Sequence, residues 1–197
     1  MYFLNSTRKT LNMKHVLLNN FFVSLITLAL VLASLGALGQ TNTFTGANNG
    51  SWNVATNWSL GVVPTAAHDV VITNAADRTV IINANAVCNT LTLNQGARNI
   101  TLNVNGYTLN VTGGITMNAP TGGTRNTTLN IGTGTVYCQT ISSNNSGNNN
   151  RDNKIAISTG VLNVSGNISM GDNANQNDIT FSGAGTINVG GNFTTGL

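Results

Sequence analysis

The chain has 197 residues with 8 Lys+Arg, 5 Asp+Glu, 22 Gly, 2 Pro and 2 Cys, and 7% of its residues are charged. Ordinary soluble domains carry roughly 25% charge, yet 41% of this chain is hydrophobic, which excludes the apolar-poor, highly charged profile of a disordered protein. Solubility therefore has to come from Asn, Thr, Ser and Gly, the composition of short strands joined by turns.

Residues 1–39 read as a signal peptide. Lys14 supplies a positive start, Phe21 to Leu35 is an uncharged and mostly apolar run, and Ala37-Leu38-Gly39 places small residues ahead of Gln40. The apolar run is 15 residues long, short of the roughly 20 that span a bilayer core. Cleavage after Gly39 is thus expected, with no membrane span left behind and a secreted or outer-surface location. Met13 begins a better-shaped signal than Met1, so residues 1–12 read as a misassigned start. The net charge of +3 comes from this segment, through Arg8, Lys9 and Lys14. Beyond it, Arg78, Arg98, Arg125, Arg151 and Lys154 are balanced by Asp69, Asp77, Asp152, Asp172 and Asp178. With no basic cluster to neutralise phosphates, nucleic acid is not an expected partner.

Residues 40–75 read as an amino-terminal cap. This stretch carries both tryptophans, Trp52 and Trp58, and one of the two prolines, Pro64. Their expected role is to cover the first coil of a repeat region, because an open solenoid end exposes backbone and apolar groups. The alternative is a sugar-stacking platform on Trp52 and Trp58.

Residues 76–197 read as coils. Segments beginning at Asn99, Asn126, Asn153 and Asp178 repeat one another at spacings of 27, 27 and 25, a period that marks solenoids. Inside each unit the period is two: Leu109-Asn110-Val111, Val136-Tyr137-Cys138, Leu162-Asn163-Val164 and Ile187-Asn188-Val189 are alternating triplets. Gly113, Gly166 and Gly191 follow them at corners. The fold class expected is all-β, a right-handed parallel β-helix with an aromatic cap, preceded by the signal helix.

Stacking coils about 4.8 Å apart predicts columns. One inward column holds Cys88, Val111, Cys138, Val164 and Val189; another holds Leu109, Val136, Leu162 and Ile187. Outside, Asn110, Asn163 and Asn188 form an amide ladder interrupted by Tyr137. A second outward column is expected from Thr101, Thr128 and Thr180, interrupted by Ala156. Asn144 to Asp152 and Gly171 to Asp178 are expected as loops from one corner. Exported cysteines usually pair, but Cys88 and Cys138 fall two coils apart, about 9.6 Å, beyond the roughly 7 Å a disulfide tolerates. Both are expected as buried thiols.

The string Gly50-Ser51-Trp52, Asn57-Trp58-Ser59, Gly61, Pro64 and Asp69-Val70-Val71-Ile72 resembles the opening of large secreted bacterial β-helix proteins, the autotransporter-like adhesins and type IX secretion cargo. Val87 to Leu93 and Leu109-Asn110-Val111-Thr112-Gly113 resemble that family's coils, so the likeness covers roughly 43–197. The resemblance implies surface display or release and a role in adhesion or scaffolding, with surface glycans or extracellular matrix as partners. Such proteins are normally longer and end in a sorting domain, so the chain reads as the front of a larger one.

Catalytic chemistry has little to stand on. Beyond residue 39 there is no Glu and a single His, His68. Glycosidases need paired carboxylates, whereas Asp77-Arg78 and Arg151-Asp152 each lack a second acid. His68-Asp69 is no half-triad, because adjacent strand residues face opposite ways. The 172–178 run offers oxygen ligands that could take calcium, without the Gly and Glu of an EF-hand loop. No enzyme activity, cofactor or metal is expected. The alternatives are the amino-terminal stub of a carbohydrate-active β-helix enzyme, or a glycan- or ice-binding module.

Overall fold

The computed structural model describes residues 18–24, 39–73, 76–93, 96–144, 151–171 and 177–195. The chain divides into two units, Met1–Leu38 and Gly39–Leu197. Of the first, residues 18–24 are described and are helical. Among the described residues no helix is long and apolar enough to cross a membrane.

The second unit is a parallel β-solenoid of about five turns. Its first turn is partial: β1 (Gln40–Thr43), β2 (Gly50–Ser51), a 3-10 turn at Ala55–Asn57, and β3 (His68–Ile72). Five complete coils of three strands come after it. They are β4 (Arg78–Ile81), β5 (Ala86–Cys88), β6 (Thr90–Leu93); β7 (Ile100–Asn103), β8 (Thr108–Val111), β9 (Gly114–Met117); and β10 (Arg125–Gly132), β11 (Thr135–Cys138), β12 (Thr140–Ser143). The last two are β13 (Arg151–Ile157), β14 (Val161–Val164), β15 (Ile168–Met170); and β16 (Asn177–Phe181), β17 (Thr186–Val189), β18 (Phe193–Thr195).

Each strand of a coil joins a different sheet. Sheet I runs β2-β4-β7-β10-β13-β16, sheet II runs β5-β8-β11-β14-β17, and sheet III runs β1-β3-β6-β9-β12-β15-β18. The expected cap, residues 40–75, therefore also supplies strands to sheets I and III. Strict alternation drives the arrangement: β8 reads half-buried, buried, exposed, buried, and β10 alternates along its length. Each strand turns one side chain in two toward a shared interior and leaves the others outside.

Sheet II matches the expected columns. Leu109, Val136, Leu162 and Ile187 pair in register, as do Cys88 with Val111 and Cys138 with Val164 and Val189 in turn. Outside, Tyr137 sits between Asn110 and Asn163, and Asn163 sits beside Asn188. The corner glycines are required by close approach. A Cβ at Gly166 would lie 2.8 Å from the Gln139 carbonyl, and one at Gly113 would lie 3.1 Å from that of Asn89.

Sheet I corrects the register read from the repeat. Asn126 pairs with Asp152 rather than Asn153, so Thr128 lies between Thr101 and Lys154, and Lys154 lies beside Asp178. Thr180 belongs to another column, with Ala156 and Asn130. The expected Thr101–Thr128–Thr180 array does not exist. Corners of unequal length slide the register; the bulge between Asn130 and Gly132, where Gly132 has φ of +58°, lies past Thr128 and does not set its pairing. Inward apolar residues fix the pairing instead, through Leu102, Leu129, Ile155 and Ile179.

Residues 145–150 and 172–176 of the two polar runs lie outside the described residues; Arg151-Asp152 and Asn177-Asp178 open strands of sheet I, and Asn144 and Gly171 follow strands of sheet III. An inward polar side chain donates to the carbonyl that leaves sheet III: Thr127 Oγ1 to Asn118 O at 2.7 Å, Asn153 Nδ2 to Asn144 O at 2.7 Å, and Asn177 Nδ2 to Gly171 O at 3.0 Å. These bonds give partners to the inward polar side chains, Thr127 and Asn153 being fully buried, where an unpaired polar group would be costly.

Candidate functional site

Trp52 and Trp58 lie in the core, with relative exposures of 0% and 2%. They pack edge-on at 4.8 Å, Trp58 meets Phe44 edge-on at 5.1 Å, and Trp58 Nε1–H donates to the Trp52 carbonyl at 2.6 Å. A sugar-stacking platform needs an open ring face. Neither indole presents one, so the platform reading is corrected to interior packing at the amino end.

Among the described residues, the ionisable groups around the first and later coils make structural bonds. His68 Nδ1 accepts the Thr65 backbone N–H at 2.9 Å, which leaves the ring proton of the neutral form on Nε2. Asp69 Oδ1 accepts from Asn89 Nδ2 at 2.8 Å and from the Thr90 hydroxyl at 2.7 Å. Asp77 accepts from the Asn99 backbone and amide, each at 3.0 Å, and meets Arg125 at 3.0 Å. The Asn99 backbone N–H, more than Arg125, holds the Asp77 carboxyl below its ordinary value. Arg78 leaves its sequence neighbour Asp77 to others and lies over the Phe44 ring, 5.7 Å from its centroid. Lys154 bridges Asp152 at 3.1 Å and Asp178 at 3.7 Å.

The calcium reading falls on residues 172–176, which lie outside the described residues; Asp178 is held by Lys154. Among the described residues no three His, Cys, Asp or Glu side chains converge as a metal site would require. Cys88 and Cys138 are free and buried, with Val111 between them in the column. Burial pushes both thiols up to about 12, and the Asp69 charge adds to the effect at Cys88.

Two outer features remain. Sheet III carries a hydroxyl column, Thr92, Thr116, Ser142, Ser169 and Thr194, in continuous register. The repeat hides it, because its members fall in the short strands after the corners rather than in the apolar triplets.

The second is a groove of about 520 Å³ that runs along the axis where sheet II turns into sheet III. Asn110, Tyr137, Asn163 and Asn188 form one wall, and Thr112, Gln139, Ser165 and Gly190 the other. Val111, Cys138, Val164 and Val189 form its floor. Its lining contains no Asp, Glu, Lys, Arg or His. Tyr137 is 48% exposed, and Asn188 Nδ2 donates to Asn163 Oδ1 at 2.8 Å, so the ladder bond forms where no tyrosine intervenes. The triplet repeat placed these residues on one face, but the far wall needed the corner geometry. Comparison of the chain with protein-family models, with curated proteins and with solved structures returns no match, so the chemistry of these faces carries any functional reading.

Proposed function

We propose that the chain is a secreted or cell-surface structural solenoid of the adhesin kind, which carries no catalytic centre. The observation that carries this reading is the division of labour among side chains. The ionisable groups described above bind neighbouring coils or loop backbone, while the outward columns of sheets II and III are built mainly of neutral amides and hydroxyls. Catalysis by acid, base or nucleophile requires titrating groups that converge on a reacting atom, and neutral columns instead suit contact over an extended surface.

Export is supported by where the coils begin. The division at Leu38/Gly39 and the first residue of β1, Gln40, both fall at the cleavage point the leader sequence implies. The resemblance of residues 43–197 to secreted bacterial β-helix proteins points the same way.

The test is expression of the full chain in a Gram-negative host, with intact-mass measurement of the exported product and binding of that product, immobilised on beads, to cells. A product that begins at Gln40, found outside the cytoplasm and retaining cells on the beads, is the expected result. An unprocessed cytoplasmic product, or beads indistinguishable from uncoated ones, would overturn the proposal.

A further inference from the structure

We infer that the groove between sheets II and III is a binding site for a neutral glycan chain laid along the solenoid axis, with Tyr137 as its stacking residue. The inference gives the adhesive reading a ligand class and rests on that reading only for its biological setting.

Tyr137 is the residue out of place. Its register neighbours are Asn110 and Asn163, and one coil further on Asn163 and Asn188 make the amide–amide bond that this position favours. An asparagine at 137 would continue the ladder through four coils. A tyrosine interrupts that ladder and leaves a large ring 48% exposed in the middle of a polar column. A large aromatic ring left half-exposed where the local pattern favours an amide marks a candidate binding position.

The surroundings decide the ligand. A sugar ring offers an apolar C–H face to an aromatic ring and a rim of hydroxyls to amides. Asn110, Asn163 and Asn188 on one side and Thr112, Gln139 and Ser165 on the other supply donors and acceptors of both kinds. None is charged, which disfavours a phosphate, a uronate or a charged peptide. Successive coils lie about 4.8 Å apart, so an extended chain meets a fresh set of neutral polar groups at each coil, with the Tyr137 ring between the Asn110 and Asn163 amides. The floor is formed by buried Val111, Cys138 and Val164 and half-buried Val189, whose neighbours pair in register along sheet II.

The test uses the full chain, isotope-labelled, titrated with cellohexaose, xylohexaose and mannohexaose and, as an acidic control, with polygalacturonate. At least one neutral hexasaccharide is expected to shift the side-chain amides of Asn110, Asn163 and Gln139. Tyr137→Asn, which extends the ladder and should fold, is expected to weaken that binding about tenfold. Gln139→Ala on the opposite wall should weaken it as well while leaving the Trp52 and Trp58 signals in place. The inference is overturned if no neutral hexasaccharide shifts these amides at about 10 mM, if the shifts map outside the groove, if Tyr137→Asn binds as tightly as the parent, or if polygalacturonate binds equally well. Because the titration is done in solution, its failure is distinct from failure of export or of cell retention.

Discussion

The first and last described coils treat the same core in opposite ways. At the amino end Phe44, Trp52 and Trp58 close the interior with exposures of 2%, 0% and 2%. At the other end Phe181 and Phe193 are 50% and 47% exposed, although their register partners one coil earlier, Ile157 and Ile168, are 1% and 0% exposed. Position in a column is thus not enough to bury a side chain; the next coil has to cover it. Full burial of one such side chain is worth about 1.5–3 kcal/mol, so each coil depends on its neighbours for much of its stability.

The largest effect that would sharpen this contrast is at alkaline pH, where two sites add. Cys88 and Cys138 ionise in the folded state only near 12, against an ordinary value of 9.0. Their stabilising contribution is complete below pH 9 and is lost as pH rises toward 12, because the unfolded chain releases its protons first. At about 1.4 kcal/mol per unit this is on the order of 4 kcal/mol for Cys88 and less for the slightly exposed Cys138. Urea titrations across that pH range should show the decline, and Cys88→Val with Cys138→Val should remove it. A thiol in the last described coil of the same column, Val189→Cys, should react faster with a disulfide reagent at neutral pH than Cys88 or Cys138, because Val189 is only partly buried.

Next in size is the amino-terminal closure. Trp58→Ala should cost about 3–5 kcal/mol, by leaving a cavity against Phe44 and Trp52. In the column of sheet II, Leu109→Ala should cost about 2–5 kcal/mol, whereas Ile187→Ala, in the half-open coil, should cost about 1 kcal/mol. Equal costs for Leu109 and Ile187 in denaturant titrations would break the comparison. The smallest effect separates the two tryptophans. Trp52 Nε1–H is buried with no partner among the described residues, while Trp58 Nε1–H is bonded. Trp52→Phe should therefore be within about 1 kcal/mol of neutral, and Trp58→Phe measurably worse, since it strands the Trp52 carbonyl.

Much of this architecture was legible in the residues because parity alone sets it. The Leu109, Val136, Leu162 and Ile187 positions announce their column, and the same arithmetic keeps Cys88 from Cys138. The threonine column failed for a physical reason: aligning Asn126 with Asn153 let loop length, rather than the inward apolar residues, choose the register. Trp52 and Trp58 were ambiguous because an aromatic pair beside glycines suits a buried plug and an exposed platform equally well; only packing around Phe44 decides. Tyr137 stands out in the sequence as an interruption of the ladder, but its meaning emerges only once the corner brings Gln139 and Ser165 opposite to it.

Native-state hydrogen exchange of the full chain tests the central claim most directly. If coils are stabilised by their neighbours, amides of β7, β10 and β13 exchange slowest, and those of β16, β17 and β18 exchange about a hundredfold faster or more. Uniform protection across all coils, or greatest protection in β16–β18, would contradict it.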